Sequence, residues 1–243
     1  MAEASTTGLA PTSPPLAPDA LRKLMAWLSP AFPVGGYSYS HGLEWAIEDG
    51  SVRDGATLAA WLGDVLAHGA GHNDAILFLQ AWRAADAGDT DRLRQVAEIG
   101  AAFQPSRERH LESTAQGRAF LAAVQAAWPC DRLATLALAF SANEALPYPV
   151  AVALAAAAHD MAAEPALGAM LNGFVANVVS AGVRAIPIGQ TDGLRVVAGL
   201  GPTVDAIIAA ASAATLDDLG GAALRADIAS MKHETQYTRL FRS

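Results

Sequence analysis

The sequence predicts an all-α fold, a single multi-helix bundle, and three observations predict it. Alanine is abundant while aromatic residues make up only 7% of the 243 positions, a balance that favours helix over strand. Apolar residues recur at i, i+3, i+4 and i+7 through most of the chain. No segment alternates apolar and polar residues for long enough to form a half-buried strand. There is no repeat at fixed period and no linker-like shift in composition.

The elements follow in order. Residues 1–17 are mostly Ala, Ser, Thr and Pro, too poor in apolar surface to order themselves, and are expected to be a disordered tail. The bundle should span 18–231 and leave a short C-terminal segment, 232–243. Asp19 is placed to cap a helix carrying Leu21, Leu24, Met25 and Leu28 on one stripe. The run from Ser29 to Glu44 then interrupts the pattern. Pro30 and Pro33 push their predecessors out of the α region, and Gly35 and Gly36 permit left-handed backbone. A helix from about Ser40 to Asp49 should end at Gly50.

Asp54 caps a pattern with Leu58, Trp61, Leu62, Val65 and Leu66 on one face. Asn73 or Asp74 starts another, through Ile76, Leu77, Leu79 and Trp82 to Gly88. Helices are expected over about 90–102 and from Ser106 to Pro129. Asp131 should cap a segment reaching about Leu146, where Pro147-Tyr148-Pro149 breaks the chain. Further helices are expected near 150–162, 166–183, 190–199, 203–215 and 225–231.

Composition excludes several function classes. A net charge of −8 speaks against general nucleic-acid binding, which needs a basic face. Cys130 is the only cysteine, so neither an internal disulfide nor a thiolate metal cage can form within one chain. The N-terminal residues lack the n- and h-regions of a signal peptide, and no uninterrupted apolar run of spanning length is seen. A cytoplasmic protein without membrane contact is the expectation. Gly35-Gly36 is followed by Tyr37 and Ser38 rather than the lysine a phosphate-binding loop requires. His233-Glu234 begins like a zincin motif, but Tyr237 stands where the second histidine belongs. No Gly-x-Ser-x-Gly elbow is present. No catalytic residue is assigned, and an enzyme is not expected.

His68 and His72 are four apart on one predicted helix and are weak candidates for a metal pair; two polar residues on a solvated or interface face is the favoured alternative. Cys130 is better read as structural than reactive, since only Arg132 supplies a nearby cation. The stronger signals are at the two ends. Tyr37, Tyr39 and Tyr237 are three of the four tyrosines, and Arg239 and Arg242 stand beside the last. Tyrosine and arginine dominate interface energetics, although either of the first two tyrosines could instead pack the next helix. The run Tyr237-Thr238-Arg239-Leu240-Phe241-Arg242-Ser243 mixes apolar and cationic groups at a chain end. That pattern suggests a segment that orders on a partner, with folding back on its own bundle as the alternative.

Four ordered motifs also resemble those of the UreF family of urease accessory proteins. They are Ser29–Glu44, His110–Gly117, Gly189–Gly193 and Asp227–Ser243, so the likeness runs from about residue 20 to the last. One departure is Leu194, where the family pattern has glutamine. The resemblance implies a helical, homodimeric scaffold that binds UreD (UreH), recruits the GTPase UreG and docks on apo-urease. Nickel and GTP would be handled through those partners, with no cofactor bound directly; the alternatives are a chaperone that binds nickel itself through His68 and His72, and a small-molecule enzyme built on a helical bundle. It also implies that Gly35, Gly36, Tyr37 and Arg239 help form the surface that receives UreG. The C-terminal segment, with His233, Gln236, Tyr237, Leu240, Phe241 and Arg242, would hold UreD.

Overall fold

A computed structural model describes residues 16–142 and 144–243. Almost all of the expected tail, residues 1–15, lies outside the described residues. Among those described, the chain forms twelve α-helices and two short 3₁₀ turns, with no strand. The helices are α1 (Pro18–Trp27), α2 (Leu43–Glu48), α3 (Gly55–His68), α4 (Ala70–Ala87), α5 (Thr90–Ala102) and α6 (Arg107–Ala127). After them come α7 (Asp131–Ala137), α8 (Tyr148–Ala158), α9 (Ala163–Ala185), α10 (Gln190–Gly199), α11 (Gly201–Ala213) and α12 (Leu224–His233).

The core is organised around α8. Every residue from Pro149 to Ala158 is buried, and α8 packs chiefly on α4 and α6, then on α9 and α7. Its small side chains let the neighbours come close. The connection entering α8 also comes close at Gly117 of α6, where an added Cβ would lie 2.0 Å from the carbonyl oxygen of Leu146. A second layer, α3, α10 and α11, packs on α4 and α9. Trp27, Phe32, Phe120 and Trp128 close one end as an aromatic cluster, with Trp27 edge-to-face to Phe120 and Trp128, each at 6.0 Å between centroids, and Phe32 tilted against both.

Helix starts follow local chemistry. Asp54 accepts from the Thr57 amide at 2.8 Å, and the Thr57 hydroxyl oxygen accepts from the Asp54 amide, a reciprocal capping box. Ser106 and Asp89 cap α6 and α5 more simply, by accepting the Arg109 and Arg92 amides. Elsewhere the structure corrects the sequence expectations. Asp19 does not cap α1: Ala17 stands at the N-cap position with no side-chain bond, Pro18 opens the first turn, and Asp19 pairs with Lys23 at 2.8 Å. Asp131 is the first residue of α7 rather than its cap. That helix stops at Ala137, not Leu146. Pro147 and Pro149 open α8, since proline suits a first helical turn.

Two stretches, Ala163–Ala185 and Gln190–Ala213, are long and apolar enough to span a membrane by length and composition, contrary to the expectation that none exists. Half of the first is buried inside the bundle. The second is two helices meeting at Leu200.

Candidate functional site

The two end motifs, joined across 203 residues of sequence, form one face. The Arg242 amide donates to the Ser38 carbonyl at 2.8 Å, and the Ser40 amide donates to the Ser243 carbonyl at 2.8 Å. The Ser40 hydroxyl donates to that same carbonyl, while the Ser243 hydroxyl donates to Glu112 of α6. Above these bonds, Arg184 of α9 lies between two rings. Its guanidinium carbon is 3.9 Å from the Tyr37 centroid and 4.6 Å from that of Phe241. It also donates to the Tyr37 carbonyl at 3.1 Å. One cation therefore stacks the loop on the C-terminal segment.

The loop reaches this position through a sharp turn. His41 and Gly42 both have positive φ, +61° and +77°. A side chain at Gly42 would also meet the Ser230 amide of α12 at 3.0 Å. The turn swings Glu44 beneath the C-terminal segment, where its two oxygens accept from the Leu240 amide at 2.6 Å and the Phe241 amide at 2.9 Å. His233, wholly buried at the end of α12, joins two carboxylates: Nε2 is 3.0 Å from Glu44 and Nδ1 is 2.6 Å from Glu108. The other oxygen of Glu108 accepts from Arg239 at 2.7 Å. Two carboxylates thus hold the segment at three points.

Deeper in the bundle sit Arg109, Glu112, His41 and Asp74. Arg109 and Glu112 form a buried ion pair, charge against charge rather than a well-aligned hydrogen bond. Burial pushes the Glu112 carboxyl up, but Arg109 and His41 outweigh it and hold it below the usual carboxylate range. Burial, aided by Arg109, lowers His41 to about 4. Burial raises Asp74 to about 7, with Arg109 opposing and Glu112 adding. Asp74 is half-buried and touches two cavities, of about 120 and 270 Å³, that both reach Arg109. The first extends to Gly36, Tyr37 and Asn177, and the second to Asp227 and Ser230.

The predicted site residues separate by burial. Tyr37, Tyr237, Arg239, Leu240 and Arg242 are exposed, and Tyr237 is fully so. Gly35 is exposed and Gly36 half-buried; the Gly36 carbonyl accepts from Asn177 at 3.0 Å. Gln236 is half-buried. Tyr39, His233 and Phe241 are buried and can act on a partner only through the residues they hold in place. The terminal segment is seated on its own bundle, because Glu44, Glu108 and Glu112 supply acceptors for it. His68 and His72 do not share a helix. His68 ends α3, the chain turns at Gly69, and His72 lies in α4 beside the Asp218 carbonyl. No group of three metal-ligating side chains occurs among the described residues. Cys130 is half-buried, with Sγ 3.6 Å from the Ala158 carbonyl.

Sequence reasoning missed Arg184, Glu108 and the inward role of Glu44. Glu44 and Glu112 stand inside quoted motifs, but an acceptor for backbone amides 196 residues away leaves no local signal. Leu194, the departure just after Gly189–Gly193, is exposed.

The UreF family profile matches residues 52–201. Curated relatives named urease accessory protein UreF cover nearly the whole chain. The one from Rhodopseudomonas palustris strain HaA2 is 56% identical over 223 residues, covering 92% of this chain and 93% of its own length. Those from Methylobacterium radiotolerans and Bradyrhizobium sp. strain BTAi1 are 55% and 54% identical. They cover 93% and 92% of this chain, and 97% and 92% of their own lengths.

Proposed function

The chain belongs to the UreF family of urease accessory proteins, and from that premise we propose that it is a non-enzymatic scaffold for GTP-dependent nickel delivery to apo-urease. In this role it binds UreD (UreH) and recruits the GTPase UreG. Nickel is cargo, and GTP is bound and hydrolysed by the partner. The chain carries no phosphate-loop lysine of its own, which agrees with a borrowed GTPase. It works in the cytoplasm as a homodimer.

The observation that carries the proposal is the joined face. Tyr237, Leu240 and Arg242 present an apolar and cationic surface on one side, suited to UreD. Tyr37 stands on the other side, stacked on Arg184 and therefore dependent on Phe241 beneath it. Seating UreD on the terminal segment would fix Tyr37 and Arg239 for UreG. Binding of the first partner then favours binding of the second through one shared element.

Capture from cells co-expressing the partners tests this. Tyr37→Ala should keep UreD and lose UreG, whereas the double change Tyr237→Ala with Leu240→Ala should lose both. Retention of both partners by both variants would refute the assignment. The substitutions are confined to exposed side chains, so the buried anchor is left in place.

A further inference from the structure

The C-terminal segment is held by a cluster whose proton count matters. A neutral imidazole offers one N–H donor and one lone pair; only the imidazolium donates from both nitrogens. His233 has a carboxylate oxygen at each nitrogen, Glu108 at 2.6 Å and Glu44 at 3.0 Å. Both carboxylates are otherwise committed as acceptors. Glu44 takes the Leu240 and Phe241 amides, and Glu108 takes Arg239. His233 and Arg239 together balance the two negative charges, and the His233 side chain is fully shielded from solvent.

We infer that His233 is a proton-dependent clip: as imidazolium it fixes the C-terminal segment through Glu44 and Glu108, and loss of its proton releases that segment. With one proton gone, an imidazole lone pair faces a carboxylate oxygen within 3.0 Å. Turning the ring over only moves the repulsion to the other carboxylate. Relief requires Glu44 or Glu108 to withdraw. Withdrawal of Glu44 frees the Leu240 and Phe241 amides, and withdrawal of Glu108 frees Arg239. Either movement loosens the same C-terminal segment, so the response is built into the connectivity.

Every packed element has its own charged groups near the clip. Glu44 comes from α2, Glu108 and the Arg109–Glu112 pair from α6, and Arg239 from the terminal segment itself. On α12, Lys232 lies over the Trp45 ring, Glu234 accepts from the Arg107 amide, and Asp227 faces the second cavity. His41, the other imidazole beneath the segment, stays neutral down to about 4. Asp74 titrates nearer neutrality and needs a control. The inference is independent of which partner docks on the face.

The test is made on the full chain, as wild type, His233→Gln and Asp74→Asn, between pH 5 and 8.5. Long-range ¹H–¹⁵N correlation spectra report the protonation of His233. Hydrogen exchange, corrected for its intrinsic pH dependence, reports the Leu240 and Phe241 amides. Both His233 nitrogens should show imidazolium shifts at low pH. Amide protection should fall about tenfold as that signal titrates, in Asp74→Asn as in wild type. In His233→Gln it should be low and flat with pH. A single neutral tautomer at all pH values with both amides protected would overturn the inference. So would a loss of protection with an unchanged midpoint in His233→Gln. If His233→Gln does not fold, the wild-type spectra and exchange decide alone.

Discussion

Removing the guanidinium of Arg184 should uncouple the two halves of the docking face. In Arg184→Ala the Tyr37 ring loses a cation 3.9 Å from its centroid. At an exposed ring that contact is worth about 0.5–1 kcal/mol. Phe241 loses a cation at 4.6 Å, and this ring is 5% exposed; a desolvated pairing is worth up to about 2 kcal/mol. The Tyr37 carbonyl loses a donor at 3.1 Å, a further ~1 kcal/mol. The loop and segment together should thus be destabilised by about 2–4 kcal/mol. Because Arg184→Ala also removes the aliphatic stem, a double-mutant cycle with Tyr37→Ala isolates the shared part, expected at about 1 kcal/mol. Urea unfolding gives the four stabilities, and exchange at Ser38–Ser40 and Leu240–Ser243 shows where the loss falls. A coupling energy below about 0.3 kcal/mol, within the scatter of independent sites, would refute the stacking account. Arg184→Lys should recover less than half the loss, since an ammonium keeps the charge but neither the planar stack nor the fork.

Two predictions concern the interior. Gly117→Ala should cost about 3 kcal/mol or more and lower Tm by roughly 6–12 °C, because the new methyl meets backbone that cannot turn aside. Gly199→Ala, which meets nothing within 4 Å, should be neutral or slightly stabilising by calorimetry. Folding lifts the Asp74 carboxyl from 3.8 to about 7, so the native state keeps a proton there that the unfolded chain has released. Stability from this group is therefore complete below pH ~4 and lost as pH rises towards ~7, by about 2–4 kcal/mol. His41 acts with opposite sign, removing stability as pH falls from its ordinary 6.5 towards about 4. The stability difference between Asp74→Asn and wild type isolates the carboxyl and should grow by that amount between pH 4 and 8. A difference that is flat with pH would refute the raised carboxyl.

Where the sequence was readable, local chemistry governed the outcome. The span 90–102 and the box at Asp54 needed nothing beyond propensity and a cap. The corner at Gly69 was hidden because nothing local marks it: α4 begins at Ala70 with no side-chain cap, ahead of the start signal that Asn73 and Asp74 offer. The early end of α7 was hidden for the opposite reason: Leu138 continues the apolar stripe but stands 85% exposed. At the site, residue type alone marked Tyr37 and the last seven residues. Type could not tell Tyr39, which turns inward, from Tyr37, which turns out. Nor could it separate Arg184 from any other arginine in a helix's last turn, because its meaning comes from the two rings that the fold brings to it.

The burial of α8 has a consequence for synthesis of the chain. Its ten consecutive buried residues carry no charge, and the helix fills the space between α4 and α6. When the ribosome has released only the segments up to α7, α4 and α6 have no wedge between them, and their inward apolar faces stay open to solvent. The first half of the chain must therefore wait as an unfinished clasp until residue 158 emerges, a stage at which such surfaces are prone to aggregate. The protein closes late in translation, and its vulnerable period is set by the distance between α6 and the helix it needs.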